Sequence, residues 1–322
     1  MAVRTNKSMG FVDIALAGFG ATRSAALLER LDDATPWKKL AAPIARLPEY
    51  ARDNPGRPAW DPIVMLKSLM LAKWFNLSDP GLEEALLDRI SFRRFVGLSF
   101  TDSTPDETTF VRFRARLREA NIHNTLFDGV VKHLEKQGYL VREGTMVDAT
   151  IIEQSTGAKR DDGSSTRDED ASFTKKHGKT HHGYKGHIAC DRSGIITDYR
   201  FTTAKEHDSK RIDEMTKDER TAVFADSAYA SCARRAELTG RGVIDGIIYK
   251  RKRGQAALYD WQERWNKLVS RVRAKVEHPF AMMKHQLGYR RVRYRGRARN
   301  EFDFALTLMA CNIKRSLSLS EP

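Results

Sequence analysis

The sequence has little of what secreted and membrane proteins need. Its 322 residues include three cysteines, Cys190, Cys232 and Cys311, whose spacing matches no disulfide framework, so free thiols in a reducing compartment are expected. No apolar run approaches the roughly 20 residues that cross a membrane. Asp13 interrupts the one apolar stretch near the N-terminus, which therefore has no signal-peptide pattern. These absences predict a cytoplasmic protein with no membrane partner.

Acidic residues are the minority among the charges. Lysine and arginine number 56 against 42 acids, which gives a formal net charge of +14 and a pI near 9.7. Such an excess favours a polyanionic partner, above all nucleic acid, although a basic protein that is merely soluble is the alternative. The length favours two domains, and a hydrophobic content of 41% is enough for a sizeable core.

The N-terminal half reads as helical. Residues 1–56 are weakly patterned and end at a proline- and glycine-rich break. Residues 57–138 show short apolar-periodic helices joined by tight turns, which is typical of a DNA-binding module and equally of a dimerisation bundle. One of these helices is rich in arginine. The side chains that we expect to contact DNA there are Arg112, Arg114 and Arg116.

From residue 139 the apolar period becomes that of strands. Residues 139–322 predict a strand, a two-stranded hairpin, a helix, a strand, a helix, a strand and a long helix, which is the order of an RNase H-like domain. The predicted fold class is therefore α/β, an RNase H-like catalytic domain with a mixed sheet and helices, preceded by an all-helical domain. Residues 153–182 are polar and nearly free of aliphatic side chains, which predicts a long mobile insertion or a loop that only DNA orders.

Two acids in this half end buried strands. Asp148 ends an apolar stretch of the strand predicted at residues 145–152, and Asp226 ends the buried strand predicted at residues 221–225. Packing does not explain either acid, because burying an unpaired carboxylate is costly. A third acid, Glu277, falls close to one line with Arg273 and Lys284 on a helix drawn at about 100° per residue. Two strand-end acids and one helical glutamate fit a two-metal phosphoryl-transfer site. A basic helix with an incidental glutamate is the plainer interpretation of the third position.

Other residues near these acids carry weaker signals. Pro279 has no N–H to donate, so we expect a kink just after Glu277. Lys185, on the strand that follows the insertion, is expected to reach a phosphate near Asp148, and an exposed strand lysine is the alternative. A zinc site is a remote alternative, since its ligands match no familiar spacing. Those ligands would be His177, His181, His182, His187 and Cys190.

A basic region spans residues 284–299. Tyr289 and Tyr294 lie among its arginines, and aromatic rings among cations suit nucleic acid, where rings stack on bases and cations meet phosphates. The arginines expected to contact DNA are Arg290, Arg291, Arg293, Arg295 and Arg297.

Several motifs together resemble one family, the DDE transposases of bacterial insertion sequences, most closely the IS-five group. The motifs are Val147-Asp-Ala-Thr-Ile-Ile152, Lys185-Gly-His-Ile188 with Asp191, Glu206-His-Asp208, Ala225-Asp226 with Tyr229, Arg273-Ala-Lys-Val-Glu-His-Pro-Phe280, and Lys284 with Tyr289 and Arg293-Tyr-Arg-Gly296. Residues 57–117 resemble the helical N-terminal domain of the same group. The resemblance covers most of the chain beyond residue 57.

The resemblance implies Asp148, Asp226 and Glu277 as a catalytic triad that holds two Mg²⁺ ions, for which Mn²⁺ can substitute. It also implies Arg273 and Lys284 as members of a Tyr-x2-Arg-x3-Glu-x6-Lys signature, whose tyrosine position is Ser270 here. Expected partners are double-stranded DNA, both transposon ends and target, and further copies of the chain in at least a dimer. The expected location is the bacterial cytoplasm near the nucleoid. A DNA-binding regulator or a structure-specific nuclease on the same fold is the alternative.

Overall fold

The computed structural model describes residues 3–4, 22–51, 58–158, 165–176, 178–251 and 253–320. The chain forms two compact units, one made of residues 1–133 with 305–322 and the other of residues 134–304. Residues 305–322 group with the first unit, and the domain boundaries expected from the sequence stay a prediction. Residues 5–21 and 52–56 of the weakly patterned N-terminal segment lie outside the described residues.

The first unit is helical, as its sequence predicts. Its strands are two short segments, β1 (Val3–Arg4) and β2 (Ala59–Trp60), which pair in parallel. Its helices are α1 (Arg23–Asp33), α2 (Trp37–Ala41), α3 (Pro62–Trp74), α4 (Asp79–Asp88), α5 (Ile90–Val96), α6 (Glu107–Glu119) and α7 (Ile122–Lys136). Within the described part of the chain, no helix is both long and apolar enough to cross a bilayer.

A cluster of aromatic rings lies in the core of the helical unit. Trp37, Trp74 and Phe95 meet edge to face with ring centroids 5.8 to 6.4 Å apart, an arrangement that aromatic quadrupoles favour. The indole N–H of Trp74 donates to the carbonyl of Ala310 at 3.1 Å. Ala310 belongs to the last helix of the chain, and its neighbours there are buried. This burial explains why residues 305–322 group with the helical unit.

The second unit is built on a mixed sheet. Its strands are β3 (Thr145–Glu153), β4 (Ser172–Lys176), β5 (Lys179–Cys190), β6 (Ile196–Thr203), β7 (Ala222–Ala225) and β8 (Ile244–Ile247). The strand β3 is central, with β5 antiparallel on one side and β7 parallel on the other. On the outer sides, β6 and β4 pair with β5, and β8 pairs in parallel with β7.

Helices cover the sheet on both faces. On one face, α8 (Ile212–Met215) and α9 (Cys232–Gly240) bury Ile212 and Leu238 against Val147 of β3. On the other face lies the start of α12 (Arg297–Leu319), whose Phe304 ring approaches Gly186 so closely that a Cβ there would lie 2.5 Å from it. Strand, hairpin, helix, strand, helix and strand follow one another as predicted, and the RNase H-like fold class is confirmed.

The predicted insertion at 153–182 is shorter than expected. Strand β4 and the start of β5 form a hairpin, so the prediction that this whole segment lacks regular structure is wrong for residues 172–176 and 179–182. The backbone of a hairpin satisfies itself by pairing, which needs no aliphatic side chains. Asp168 also anchors the segment, since its buried carboxylate accepts from the Tyr184 hydroxyl at 2.8 Å. Residues 159–164 and 177 lie outside the described residues, and mobility stays a prediction.

Candidate active site

Strand register brings two of the predicted acids to neighbouring positions. In the parallel pair of β3 and β7, Thr145 lies opposite Val223 and Met146 lies opposite Phe224. Extending this register by two residues sets Asp148 opposite Asp226, which directly follows β7. There the Asp226 side chain accepts from the N–H of Ser227 at 2.5 Å and caps a short 3₁₀ turn. The two carboxylates therefore lie side by side, Asp148 on the central strand β3 and Asp226 just beyond the neighbouring strand β7.

The carboxylate of Asp148 is held in a poorly solvated position. Burial raises its pKa and the nearby charge of Asp226 adds to this, whereas the Ala149 N–H, Arg273 and Lys176 act in the opposite direction without cancelling it. A carboxylate that is buried beside a second acid is stabilised in its ionised form by a cation. Carboxylate oxygens are the ligands that Mg²⁺ and Mn²⁺ prefer. This pair therefore fits a hard divalent cation.

The helical region that carries Glu277 changes pitch along its length. It begins as α10 (Asp260–Arg273), tightens into a 3₁₀ turn at Ala274–Val276, returns to α-helix in α11 (Glu277–Ala281), and widens into a π turn at Met282–Gln286. The backbone at Val276, Glu277 and Met282 stays helical. Pro279 removes one backbone donor, and the tight and wide turns on either side accommodate this loss. The irregularity expected just after Glu277 takes the form of a change of pitch.

This helical region lies along β3. Nη2 of Arg273 is 3.4 Å from Oδ2 of Asp148, and the Lys284 ammonium donates to the Thr150 hydroxyl at 2.5 Å. Asp148 and Thr150 are two residues apart on a strand, so they share a face. Arg273 and Lys284 thus stand on the face of the sheet that carries the acid, as their common line on the helix predicted.

Glu277 lies between these two anchors and is exposed. Val276 and Met283, in the same helical region, are buried. Throughout the described residues, no three acids, histidines or cysteines come close enough to hold a metal ion together. The pair Asp148 and Asp226 therefore has the donors for a cation, and Glu277 has to move toward them to become a third ligand.

Lys185 does not approach the acids. It pairs in register with Ile151, whereas Asp148 pairs with Ile188, so the two side chains point to opposite faces of the sheet. The Lys185 ammonium donates to the Glu206 carbonyl at 2.6 Å and pairs with Asp208 at 2.7 Å. The expectation that Lys185 reaches a phosphate beside Asp148 is not met, because strand alternation turns it away.

Among the described residues, the histidines and the cysteine of the zinc alternative do not converge. The His181 ring contacts Glu153 at 3.1 Å, and the His182 ring contacts the Gln154 carbonyl at 3.3 Å. His187 is fully buried against the Thr202 hydroxyl, and burial lowers its pKa to about 4. His177 lies outside the described residues.

The basic region is exposed along most of its length. Arg290, Arg291, Arg293, Arg295 and Arg297 are all exposed. The backbone around Arg291 runs beside the end of β3, where the Arg291 guanidinium is 3.5 Å from Glu153, and Arg295 donates to the Arg167 carbonyl at 2.8 Å. Tyr289 is buried and packs against Phe304, so it is not available to stack on a base.

The arginines of α6 differ from one another. Arg112 is exposed, and Arg116 pairs with Glu49 at 3.6 Å. Arg114 is buried and forms a short ion pair with Asp79. Arg114 is therefore a structural residue and not a DNA contact, since its charge is already paired inside the helical unit.

Two residues near the acids were not among the predicted site residues. Tyr229 is buried, and among the described residues its hydroxyl has no hydrogen-bond partner. Burial, followed by the charge of Asp148, raises its pKa. Lys176, from β4, also acts on the pKa of Asp148. The position of Tyr229 three residues after Asp226 was a usable signal, whereas nothing in the sequence around Lys176 pointed to the acids.

Comparison with known proteins identifies the family. A family model described as "Transposase DDE domain" matches residues 140–313, which is more than half of the chain and includes all three acids. The chain belongs to the DDE transposases. A second model, "Transposase domain (DUF772)", matches residues 21–116, so a transposase model also covers most of the helical unit. The expected membership among the transposases of insertion sequences is thereby confirmed.

A solved structure gives a weaker likeness. The crystal structure of the Mos1 strand transfer complex matches with 12% identity and a TM-score of 0.28 over 92% of this chain and 96% of that chain. A likeness at this level carries no argument about the chemistry of the transposase described here.

Proposed function

We propose that this transposase binds the ends of its transposon, cleaves them and joins them to target DNA. The observation that carries the proposal is the register of β3 with β7, which sets Asp148 beside Asp226. Two carboxylates side by side, Asp148 within β3 and Asp226 directly after β7, support the role of metal ligands in a chain of a DDE transposase family. We assign Glu277 as the third ligand, from its position one helical turn after Arg273. Placement in the IS-five group is part of this proposal.

Asp148, Asp226 and Glu277 would hold two divalent ions, Mg²⁺ or Mn²⁺. Bound there, such ions would activate a water or a DNA 3′-hydroxyl for attack on a phosphodiester and stabilise the leaving oxygen. The chain's own residues position the substrate. Arg273, 3.4 Å from Asp148, orients this carboxylate and would hold a phosphate oxygen of the bound strand.

Lys284 performs a related task further along β3. Its hydrogen bond to Thr150 fixes the ammonium on the same face as Asp148, where it can meet a backbone phosphate of the bound strand. We further propose that the helical unit recognises the transposon ends through exposed cations such as Arg112. Joining two ends requires at least two copies of the chain, so we propose a homodimer or larger assembly.

Alanine replacement of each acid tests the proposal. We expect Asp148→Ala, Asp226→Ala and Glu277→Ala to abolish Mg²⁺-dependent nicking and to leave affinity for transposon ends nearly unchanged, because affinity comes from many phosphate contacts elsewhere. Nicking and gel-shift affinity are measured side by side, and Asp198→Ala, at a partly exposed position on β6, serves as the matched control. Full nicking by one acid variant removes that residue from the triad. A parent protein that binds ends but never nicks them favours the regulator.

A further inference from the structure

A basic groove opens beside the acid pair. Its volume is about 630 Å³, and its walls include Thr150 of β3, the hairpin of β4 with β5, and the turn around Lys284. Thr150 lies two residues beyond Asp148 on the same strand face. We call this feature the hairpin groove.

Four cations line the hairpin groove: Lys176, Lys179, Lys284 and Arg290. Lys176 and Lys179 face each other directly across the hairpin, where like charges destabilise a strand pair. Both are exposed, so burial of their stems does not offset that cost. The two lysines therefore do not stabilise the hairpin, and their position next to each other is not explained by folding.

Neighbouring charges do not neutralise this cluster. Burial lowers the pKa of Lys284, and the charges of Lys176 and Arg290 lower it further. Among the described residues that line the groove, the one acid is Glu153. Its two oxygens are already occupied, one 3.1 Å from His181 and the other 3.5 Å from Arg291. The groove therefore holds an excess of positive charge that an anionic ligand would relieve.

The hairpin also brings this charge close to the acids. Lys176 and Lys284 line the same groove, and Lys284 is anchored to Thr150, two residues beyond Asp148 on β3. A ligand that fills the groove is thus continuous with one at Asp148. Lysines act on phosphates as point charges, which suits a flexible backbone.

We propose that the hairpin groove holds backbone phosphates of the DNA strand next to the phosphate that is cut, with Lys176 and Lys179 as its outer clamp. This assignment rests on the proposed function, because it takes the strand at Asp148 to be DNA. The proposal gives residues 153–182 a role in binding the DNA strand.

The test compares two double variants with the same change of charge. Lys176→Ala with Lys179→Ala removes the clamp. Lys175→Ala with Lys217→Ala is the control, because Lys175 is exposed on the same strand but its side chain alternates to the opposite face, and Lys217 is exposed elsewhere in the same unit. Affinity for a labelled duplex is measured by fluorescence anisotropy at several salt concentrations without divalent metal.

The salt slope is the slope of the logarithm of the binding constant against the logarithm of the salt concentration, and removal of two phosphate contacts should reduce its size by about two. If the two proteins bind equally well in 1 M salt, the clamp variant should bind about 60-fold more weakly at 0.1 M salt. The control should keep the parent's slope. A scan of single uncharged methylphosphonates along the strand should weaken binding to the parent at particular positions, and the clamp variant should lose that sensitivity.

An unchanged slope in the clamp variant, or an equal loss in the control, overturns the proposal. The proposal is also overturned if methylphosphonates weaken binding to the clamp variant at the same positions, and to the same extent, as they weaken binding to the parent. All of these measurements record binding and none requires cleavage. Their failure can therefore be distinguished from failure of the proposed function, which the nicking assay tests.

Discussion

Replacing Asp148 with asparagine should stabilise the metal-free protein at neutral pH. Burial and the charge of Asp226 raise the pKa of Asp148 above its ordinary value of 3.8, so the ionised carboxylate is disfavoured in the folded state. Asparagine has nearly the same shape and no charge, and its amide oxygen can still accept from the Ala149 N–H, which is 2.7 Å from the carboxylate. The variant therefore removes the cost of the charge and keeps the local hydrogen bond.

The sign and size of the effect follow from proton linkage. A group whose pKa is raised on folding contributes its full stability below its unfolded pKa and loses it as the pH rises through the folded pKa. The variant and the parent should therefore be equally stable near pH 3.8 and diverge above it. A tenfold change in proton affinity on folding corresponds to about 1.4 kcal/mol. Because the Asp148 side chain keeps 27% exposure, we expect about 1 kcal/mol, or roughly 2–4 °C in melting temperature.

Calorimetry between about pH 4 and pH 8, without divalent metal, measures this divergence. Asp191→Asn is the control, because burial also raises the pKa of Asp191. Unlike Asp148, Asp191 accepts hydrogen bonds from the N–H groups of Val141 and Ile195, at 2.7 and 2.8 Å. Losing such bonds should lower stability by about 1–3 kcal/mol. Adding Mg²⁺ should raise the melting temperature of the parent and not that of Asp148→Asn. If Asp148→Asn melts below the parent at neutral pH, desolvation does not dominate at this carboxylate.

Three further predictions concern other parts of the chain. Arg114→Ala should lower the free energy of unfolding of the helical unit by about 3–5 kcal/mol, because it leaves Asp79 buried without its partner. Arg112→Ala is the control and should change the free energy of unfolding by less than about 0.5 kcal/mol. Chemical denaturation measures both variants. Limited proteolysis of DNA-free protein should cut first within residues 153–182, which have few aliphatic side chains to bury, and resistance there would count against mobility. Joint replacement of Arg293, Arg295 and Arg297 by alanine should weaken binding to specific and random DNA alike and reduce the salt slope by about one for each lost contact, so an unchanged slope means that these arginines do not touch phosphate.

Much of the catalytic unit follows from local sequence pattern. The strand predicted at residues 145–152 is β3 at Thr145–Glu153, and the strand predicted to end before Asp226 is β7 at Ala222–Ala225. Apolar runs of this length specify buried strands without reference to the rest of the chain. Their order specifies which strands can be neighbours, because connections are short and right-handed. The approach of Asp148 and Asp226 was therefore predictable.

Features that depend on long-range pairing were not predictable. Lys185 lies away from the acids because β5 pairs with β3 in one particular register, and a shift of one residue would turn its side chain to the other face. Arg114 differs from Arg112 in that α4 brings Asp79 against it. The hairpin groove exists because backbone pairing folds a polar segment back on itself and sets Lys176 beside Lys179. Residue types determined which groups were available for chemistry, and register between distant segments decided which of them meet, since that register depends on contacts that no local pattern encodes.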